Sequence, residues 1–165
     1  MRRGGASVPI RAELKAFLES GVSVVVGTRD ADLVPEITRA WGLLVSKDWK
    51  SITLCVPLAT SQKTFDNLTG NGQMAVCCSL PTSYKTVQLK GQCIQTADPN
   101  RVDLAAVARH RKAFGDLNKR IGIQHQRSES FWRRELETSP LLVKLRFVPE
   151  QIFDQTPGPE AGSPL

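Results

Sequence analysis

The stretch SITLCVPLATSQKTFDNLTGNGQMAVCCSL, residues 51–80, changes its pattern twice and decides the fold. Residues 51–57 are apolar and β-branched, which predicts a strand. Residues 59–68 place hydroxyl side chains ahead of the apolar pair Phe65 and Leu68, which predicts a short helix ended by the glycines that follow. Residues 73–80 again predict a strand, so a single short helix interrupts a β-rich order.

The chain on either side of this stretch is also mostly strand, with turn residues between the strands. Further strands are predicted at residues 22–28, 36–45, 84–96 and 141–147, the last continuing past Pro149 to Phe153. Apolar spacing predicts helices at residues 10–20, from 98–100 to about 119, and at 128–137. Strands in hairpin order predict a mainly β fold with peripheral helices, a six-stranded antiparallel sheet that closes into a small barrel.

Length and composition indicate one globular domain over residues 1–165, since 41% of the residues are hydrophobic and 23% are charged. We expect a flexible N-terminus at 1–9, a helical insert at 98–138 and a Pro/Gly-rich tail at 154–165. The longest apolar run, residues 22–26, is too short to span a membrane. The basic start is followed by no apolar signal segment, so we expect a cytoplasmic protein with no membrane association.

No group of side chains forms a recognisable catalytic or metal-binding motif. The four cysteines lack CxxC spacing, and His110 and His125 lie fifteen residues apart with no partner ligand near them in the sequence, so no metal is expected. We expect His110 to be a surface residue of a helix. The catalytic residues are unknown from sequence, and in an enzyme of this kind a cofactor would supply the reactivity.

Basic residues concentrate in one segment. Residues 101–134 contain nine Lys or Arg and three acids, an excess equal to the net charge of +6 for the whole chain. Such a segment is either a surface for an anionic partner or a solvated helix face. Nucleic acid is not the expected partner, because the aromatic residues there belong to no known binding motif.

Three short segments are candidates for ligand binding. Residues 60–64, TSQKT, stand at a predicted helix start, where free N–H groups, hydroxyls and a lysine suit a phosphate; an N-cap with an exposed lysine is the alternative. Residues 35–42 place Arg39 beside Trp41 in a strand, which suits a flat anionic ligand. Residues 84–91 place Thr86 and Gln88 on one face of a strand.

The order of these motifs resembles that of the FMN-binding split-barrel family, which includes pyridoxamine 5′-phosphate oxidase. The matching parts are the strand with Arg39, the S-x-K element at 61–63 followed by Asn67-Leu68, and the VQLKG strand at 87–91. The resemblance extends from about residue 10 to the end. The tail segment QTPGPEAG, residues 155–162, is similar to the tail of one branch of the family.

The resemblance implies a homodimer with FMN at the subunit interface. It implies that the phosphate is held by the helix start, which comprises Thr60, Ser61, Gln62, Lys63 and Thr64. It implies that the edge of the isoalloxazine ring lies along Arg39, Ala40 and Trp41. Thr86 stands where the oxidase uses a glutamine to touch the ring, and Gln88, two residues on, could replace that contact.

Two departures from the oxidase pattern limit what the resemblance implies. The R-x-H element that holds the vitamin B6 substrate is missing, and Gln62 replaces an arginine. We therefore expect an FMN-dependent oxidoreductase acting on another small molecule. The alternatives are a non-catalytic carrier or sensor of flavin, haem or deazaflavin on the same fold, a module that binds nucleic acid or an acidic partner through residues 101–134, and a dimeric scaffold without ligand.

Overall fold

The computed structural model describes residues 7–123 and 141–165. Within these residues there are three α-helices, one 3-10 turn at Leu58–Thr60, and seven strands. The helices are α1 Ala12–Leu18, α2 Gln62–Asn71 and α3 Arg101–Arg120. The strands are β1 Ser23–Arg29, β2 Pro35–Arg39, β3 Trp41–Val45, β4 Ile52–Pro57, β5 Gln73–Ser79, β6 Thr86–Ala97 and β7 Leu142–Asp154.

The seven strands form one antiparallel sheet in the order β2-β1-β5-β6-β7-β4-β3. The sheet curls into a half-barrel with the helices around it. The predicted mainly β, antiparallel split-barrel architecture is confirmed. The predicted helix at 128–137 lies outside the described residues.

The predicted number of six strands was wrong, because residues 36–45, which were predicted to be one strand, form two. It breaks at Ala40, whose N–H donates to the Val24 carbonyl at 3.2 Å, and Gly42 beyond the break has φ +73°. Before the break, β2 pairs with β1; after it, β3 pairs with β4. Because β2 and β3 are the two edges of the sheet and one residue joins them, the sheet has to curl.

The core lies on the inner face of the sheet, where alternate residues point. Val26, Val76, Leu89 and Phe147 are fully buried there, and α1 covers them with its own apolar residues. A smaller cluster packs Val107 of α3 with Trp41 and Cys55 of the sheet. None of the described helices is both long enough and apolar enough to cross a bilayer.

Gly91 is required at a close approach between β6 and β7. A Cβ atom at this position would lie 2.1 Å from the carbonyl oxygen of Val148, which is shorter than any real contact. The pairing of β6 with β7 shifts register between Lys90 and Gly91, as at a β-bulge. The glycine in the VQLKG segment is therefore a requirement of the sheet.

Candidate functional site

Polar side chains fasten the start of α2 to the β1–β2 hairpin. The Thr38 and Ser61 hydroxyl oxygens lie 2.9 Å apart, and Asn67 Nδ2 donates to Thr28 Oγ1 at 3.0 Å. Thr64 lies between Ser61 and Asn67 on the same helix face, is completely buried, and its hydroxyl has no hydrogen-bond partner among the described residues. We call these five side chains the polar seam.

The opposite side of the helix start is open. Thr60, Gln62 and Lys63 are exposed, whereas Ser61 is only 1% exposed. Ser61 stands at the N-cap of α2, but its hydroxyl is directed to Thr38, and no side chain in the described part of the chain caps the helix. The N–H groups of the first turn therefore keep their partial positive charge for a ligand, which is the usual basis of an anion site at a helix start.

Lys63 is held by an acidic residue of the hairpin. Its Nζ lies 3.0 Å from Asp30 Oδ2, and the hydrogen bond to Asp30 is the main reason that the pKa of Lys63 is raised. The same bond is the main reason that the pKa of Asp30 is lowered. The negative charges of Glu36 and Asp66 also raise the pKa of Lys63. An anion at this helix start must therefore compete with Asp30 for the lysine.

An outer face lies on the other side of the sheet from the core. Arg39, Val25, Cys77 and Gln88 stand in register across β2, β1, β5 and β6, with side chains pointing outward. Arg39 and Gln88 are thus three strand spacings apart, roughly 14 Å. Only Val25 and Cys77 lie between the two longer polar side chains.

Thr86 lies in the neighbouring row of the outer face. Its hydroxyl donates to Ser79 Oγ at 2.9 Å, and Ser79 is in register with Ser23. The Arg39 guanidinium approaches Ser23 Oγ at 3.4 Å. The structure therefore brings Arg39, Thr86 and Gln88 onto one face of the sheet.

The helix start and the outer face meet at the edge strand β2. Thr38 and Arg39 are consecutive residues of this strand, and consecutive side chains point to opposite faces. Thr38 therefore contacts α2 while Arg39 lies on the outer face.

Ala40 and Trp41 lie elsewhere, in the interior. Trp41 is 4% exposed and packs beneath α3, with the Arg111 guanidinium 5.0 Å from its ring centroid and Phe114 edge-on at 6.0 Å. Ala40 is buried at the break between β2 and β3. These two residues are not brought to the surface on which Arg39, Thr86 and Gln88 lie.

Sequence reasoning missed Thr38 and Asp30 as members of the site. The sequence did contain a signal for Thr38, because this residue occupies an inward position in a strand. Thr28 occupies the equivalent position in β1, where it continues the inward series Val24 and Val26. A hydroxyl at an inward position requires a buried partner. Asp30 carried no such signal, since an aspartate in a hairpin turn is ordinary and only the fold brings it to Lys63.

His110 is buried, so its predicted place on the surface of a helix is wrong. It is 4% exposed, its Nδ1 accepts from the Gly42 N–H at 3.0 Å, and its Nε2 donates to the Val22 carbonyl at 2.7 Å. These bonds require a neutral ring with the proton on Nε2. Burial is the main reason that its pKa is lowered. His110 fastens α3 to the barrel.

Three of the four cysteines show no sign of reactivity. Burial raises the pKa of Cys55 to about 12 and also raises that of Cys78 and Cys93. Thiols are nucleophilic and bind metals as thiolates, so these groups are inert near neutral pH. Across residues 7–123 and 141–165, no three His, Cys, Asp or Glu side chains converge as a metal site would require.

Comparison with known proteins shows the fold. No protein-family model and no curated protein matches the chain. Among solved structures, an FMN-binding protein from Syntrophomonas wolfei superposes with a TM-score of 0.51 at 15% identity, covering 85% of this chain and 82% of that one. A Clostridium acetobutylicum protein of the pyridoxinephosphate oxidase family, related to general stress protein 26 of B. subtilis, gives 0.50 at 17% identity, with 86% and 84% covered.

The chain has the FMN-binding split-barrel fold. An F420 reductase shares this split barrel, with a TM-score of 0.51 at 13% identity over 84% of this chain and 94% of that one. The split-barrel fold therefore occurs in proteins whose names refer to two different flavin-type cofactors. At these identities the likeness establishes architecture, so the function of this chain has to be argued from its own residues.

Proposed function

We propose that the protein binds FMN as a homodimer and acts as an oxidoreductase on a small molecule other than vitamin B6. The observation that carries the proposal is the open start of α2. Its first-turn N–H groups have no side-chain cap among residues 7–123 and 141–165, and Lys63 belongs to the same first turn. This start adjoins the edge strand that carries Arg39.

The residues at the helix start fit a phosphate group. Thr60, Gln62 and Lys63 are exposed and, with the backbone N–H groups, would hold the phosphate. Ser61 and Thr64 are buried in the polar seam, so they would set the position of the helix from beneath. This arrangement explains why hydroxyl residues recur through the segment TSQKT although only some of them reach the ligand side.

The outer face fits a planar group covered by a second copy of the chain. Its centre is made of the small residues Val25, Gly27, Ala75 and Cys77, and Ile37 at its edge is 67% exposed. An exposed apolar surface of this kind usually marks an interface. Arg39, Thr86 and Gln88 would supply polar contacts to a ring held between two such faces.

Bound FMN would supply the electron transfer, and the protein would supply binding, orientation and exclusion of water. The described residues provide few candidates for proton transfer. His110 is the one histidine among them, and both of its ring nitrogens are bonded within the core. The shortage of groups for proton transfer favours the alternative function, a non-catalytic flavin carrier. The experiments must therefore distinguish an oxidoreductase from a carrier.

The first experiment measures flavin retention. Purified protein is mixed with FMN and desalted, and its absorbance is compared with that of Lys63→Met and Lys47→Met. Lys47 is an exposed lysine in the β3–β4 turn and serves as the matched control. We expect the wild type and Lys47→Met to retain FMN and Lys63→Met to lose most of it. A wild-type protein that stays colourless would refute the proposal.

A second experiment separates enzyme from carrier. The FMN complex is mixed under anaerobic conditions with nicotinamide donors, and bleaching of the flavin band is followed. Rapid, saturable bleaching supports an oxidoreductase. A complex that retains FMN in the first experiment but is bleached no faster than free FMN supports a carrier.

A further inference from the structure

The residues after β7 fold back against the end of that strand. We call residues 155–165 the C-terminal segment. The Gly162 N–H donates to the Asp154 carbonyl at 2.6 Å, and the Asp154 N–H donates to the Ser163 carbonyl at 2.9 Å. The C-terminal segment therefore extends the sheet beside the last residues of β7.

The beginning of the C-terminal segment is bonded to the first residue of β6. The Gln155 N–H donates to the Thr86 carbonyl at 2.8 Å, and the Thr86 N–H donates to Thr156 Oγ1 at 3.1 Å. Pro157 follows and has no N–H with which to continue the strand pairing. The Thr156 hydroxyl therefore completes the pairing of Thr86 at the point where the chain leaves the sheet.

The Gln155 side chain reaches the outer face. Gln88 is in register with Phe153, and Gln155, two residues further along, is directed to the same side of the sheet. Gln155 Nε2 donates to Gln88 Oε1 at 3.5 Å, and both side chains are half-buried. Within the described residues this is the one hydrogen bond of the Gln88 side chain, so Gln155 is the residue that holds its amide group in place.

The outer face ends at the C-terminal segment. Strand β4 pairs with β7 only over residues 142–147, so it does not lie beside Phe153. Pro164 takes that place, since it forms a β-bridge with Phe153. The row of outward side chains that begins at Arg39 therefore continues through Gln88 to Phe153 and meets the C-terminal segment there.

We propose that Gln155 and Thr156 are positioning residues of the proposed flavin site, acting through Gln88 and Thr86. Gln155 holds the amide of Gln88, and Thr156 holds the backbone of Thr86, the two residues of β6 that would contact the ring. This inference rests on the proposed function, because it assigns the C-terminal segment to the same site. Loss of either contact should weaken binding of the ring whether or not the ligand carries a phosphate.

The test is a double-mutant cycle on the flavin Kd, measured by fluorescence quenching for FMN and for riboflavin, which lacks the phosphate. Gln155→Met keeps the length of the side chain and removes its N–H donors. We expect it to raise both Kd values by the same factor, about two- to tenfold, because one hydrogen bond beside the ring is lost. In the Gln88→Met background the same change should have no further effect. Gln95→Met is the matched control, because Gln95 is an exposed residue near the other end of β6.

Thr156→Val and Thr156→Ser test the backbone contact independently, and they decide the matter if Gln155→Met does not fold. The valine removes the hydroxyl and should weaken both flavins, whereas the serine keeps it and should bind like the wild type. Unchanged Kd values in folded Gln155→Met and Thr156→Val, or an equal loss from Gln155→Met in the Gln88→Met background, would overturn this inference alone. A wild type that retains no FMN would refute the proposed function, and this inference with it.

Discussion

The hydroxyl oxygens of Thr38 and Ser61 lie 2.9 Å apart in the interior, and this contact joins the edge strand β2 to the N-cap residue of α2. Because Ser61 uses its hydroxyl for Thr38, it does not cap its own helix. The same contact therefore positions the helix and leaves its first-turn N–H groups available. The position of the helix and the proposed ligand binding at its start are therefore linked through one pair of side chains.

Replacement of Thr38 by valine should be destabilising although the two side chains have the same shape. The change leaves the Ser61 hydroxyl buried without its partner, which typically costs about 1–3 kcal/mol. We expect that loss in the free energy of unfolding measured with urea. The double variant Thr38→Val/Ser61→Ala should be less destabilised than the sum of the single variants. Strictly additive losses would show that the two hydroxyls do not interact.

Stability should fall as the pH falls below neutral, because of His110. Its pKa is lowered in the folded state, so the unfolded chain binds the proton more readily. The free energy of unfolding is then largest above the ordinary histidine pKa of about 6.5. As the pH falls from there to the lowered pKa of His110, the free energy of unfolding declines by at most about 1.4 kcal/mol per pH unit. The carboxylates whose pKa is lowered, among them Asp30 and Asp154, lose their contribution only at lower pH.

The matched variant for this effect is His110→Gln. It should be less stable than the wild type at pH 8, because the ring contacts with Trp41 and Gly42 are lost. Its melting temperature should change less than that of the wild type between pH 7 and pH 5. If the melting temperatures of the two proteins change equally between pH 7 and pH 5, the pH dependence belongs to groups other than His110.

Removal of the charge of Asp30 should strengthen FMN binding. The carboxylate occupies Lys63 in the free protein, and an asparagine would release the lysine while still accepting from the Val34 N–H in the turn. We expect about a few-fold lower Kd for FMN in Asp30→Asn, measured by fluorescence quenching of the flavin. Asp48→Asn is the control, because Asp48 makes similar turn contacts far from Lys63. A weaker Kd in Asp30→Asn would mean that Asp30 supports the site.

A charge on the outer face should separate the proposed dimer. Ile37 lies in β2 on that face and Leu33 lies in the β1–β2 turn, and both side chains are 67% exposed. Burying a carboxylate at an apolar interface is strongly unfavourable. Ile37→Glu should therefore be monomeric in analytical ultracentrifugation at concentrations where the wild type and Leu33→Glu are dimers. A wild-type protein that is monomeric throughout would refute the dimer.

The local part of the fold could be predicted because it depends on residues close together in the chain. Alternation of apolar residues identified β1, β4, β5 and β7 to within a few residues, since burial on one face of a strand requires that period. The capped start of α3 was also predictable. Asn100 accepts from the N–H of Asp103, and Asp103 accepts in return from the N–H of Asn100, which is a capping box.

The residues of the site were found only in part. The segment TSQKT marked the helix start, but its division into buried Ser61 and Thr64 and exposed Lys63 depends on which side of α2 faces the hairpin. A helix of ten residues with little apolar surface does not show that direction in its sequence. The partners Thr38 and Asp30 come from strand β2 and from the β1–β2 turn, 23 and 33 positions away from the residues of the helix start that they contact.

The sequence by itself determined that the chain is a mainly β protein with a helix inserted before β5, because strand and helix periods follow from local burial. Tertiary structure alone decided that the chain breaks at Ala40 and crosses between the sheet edges, that His110 is enclosed, and that Asp30 reaches Lys63. These outcomes come from contacts between residues far apart in the chain; His110 and Val22, for example, are 88 positions apart. Local propensity contains no information about such contacts, because their free energy is gained only when the sheet closes.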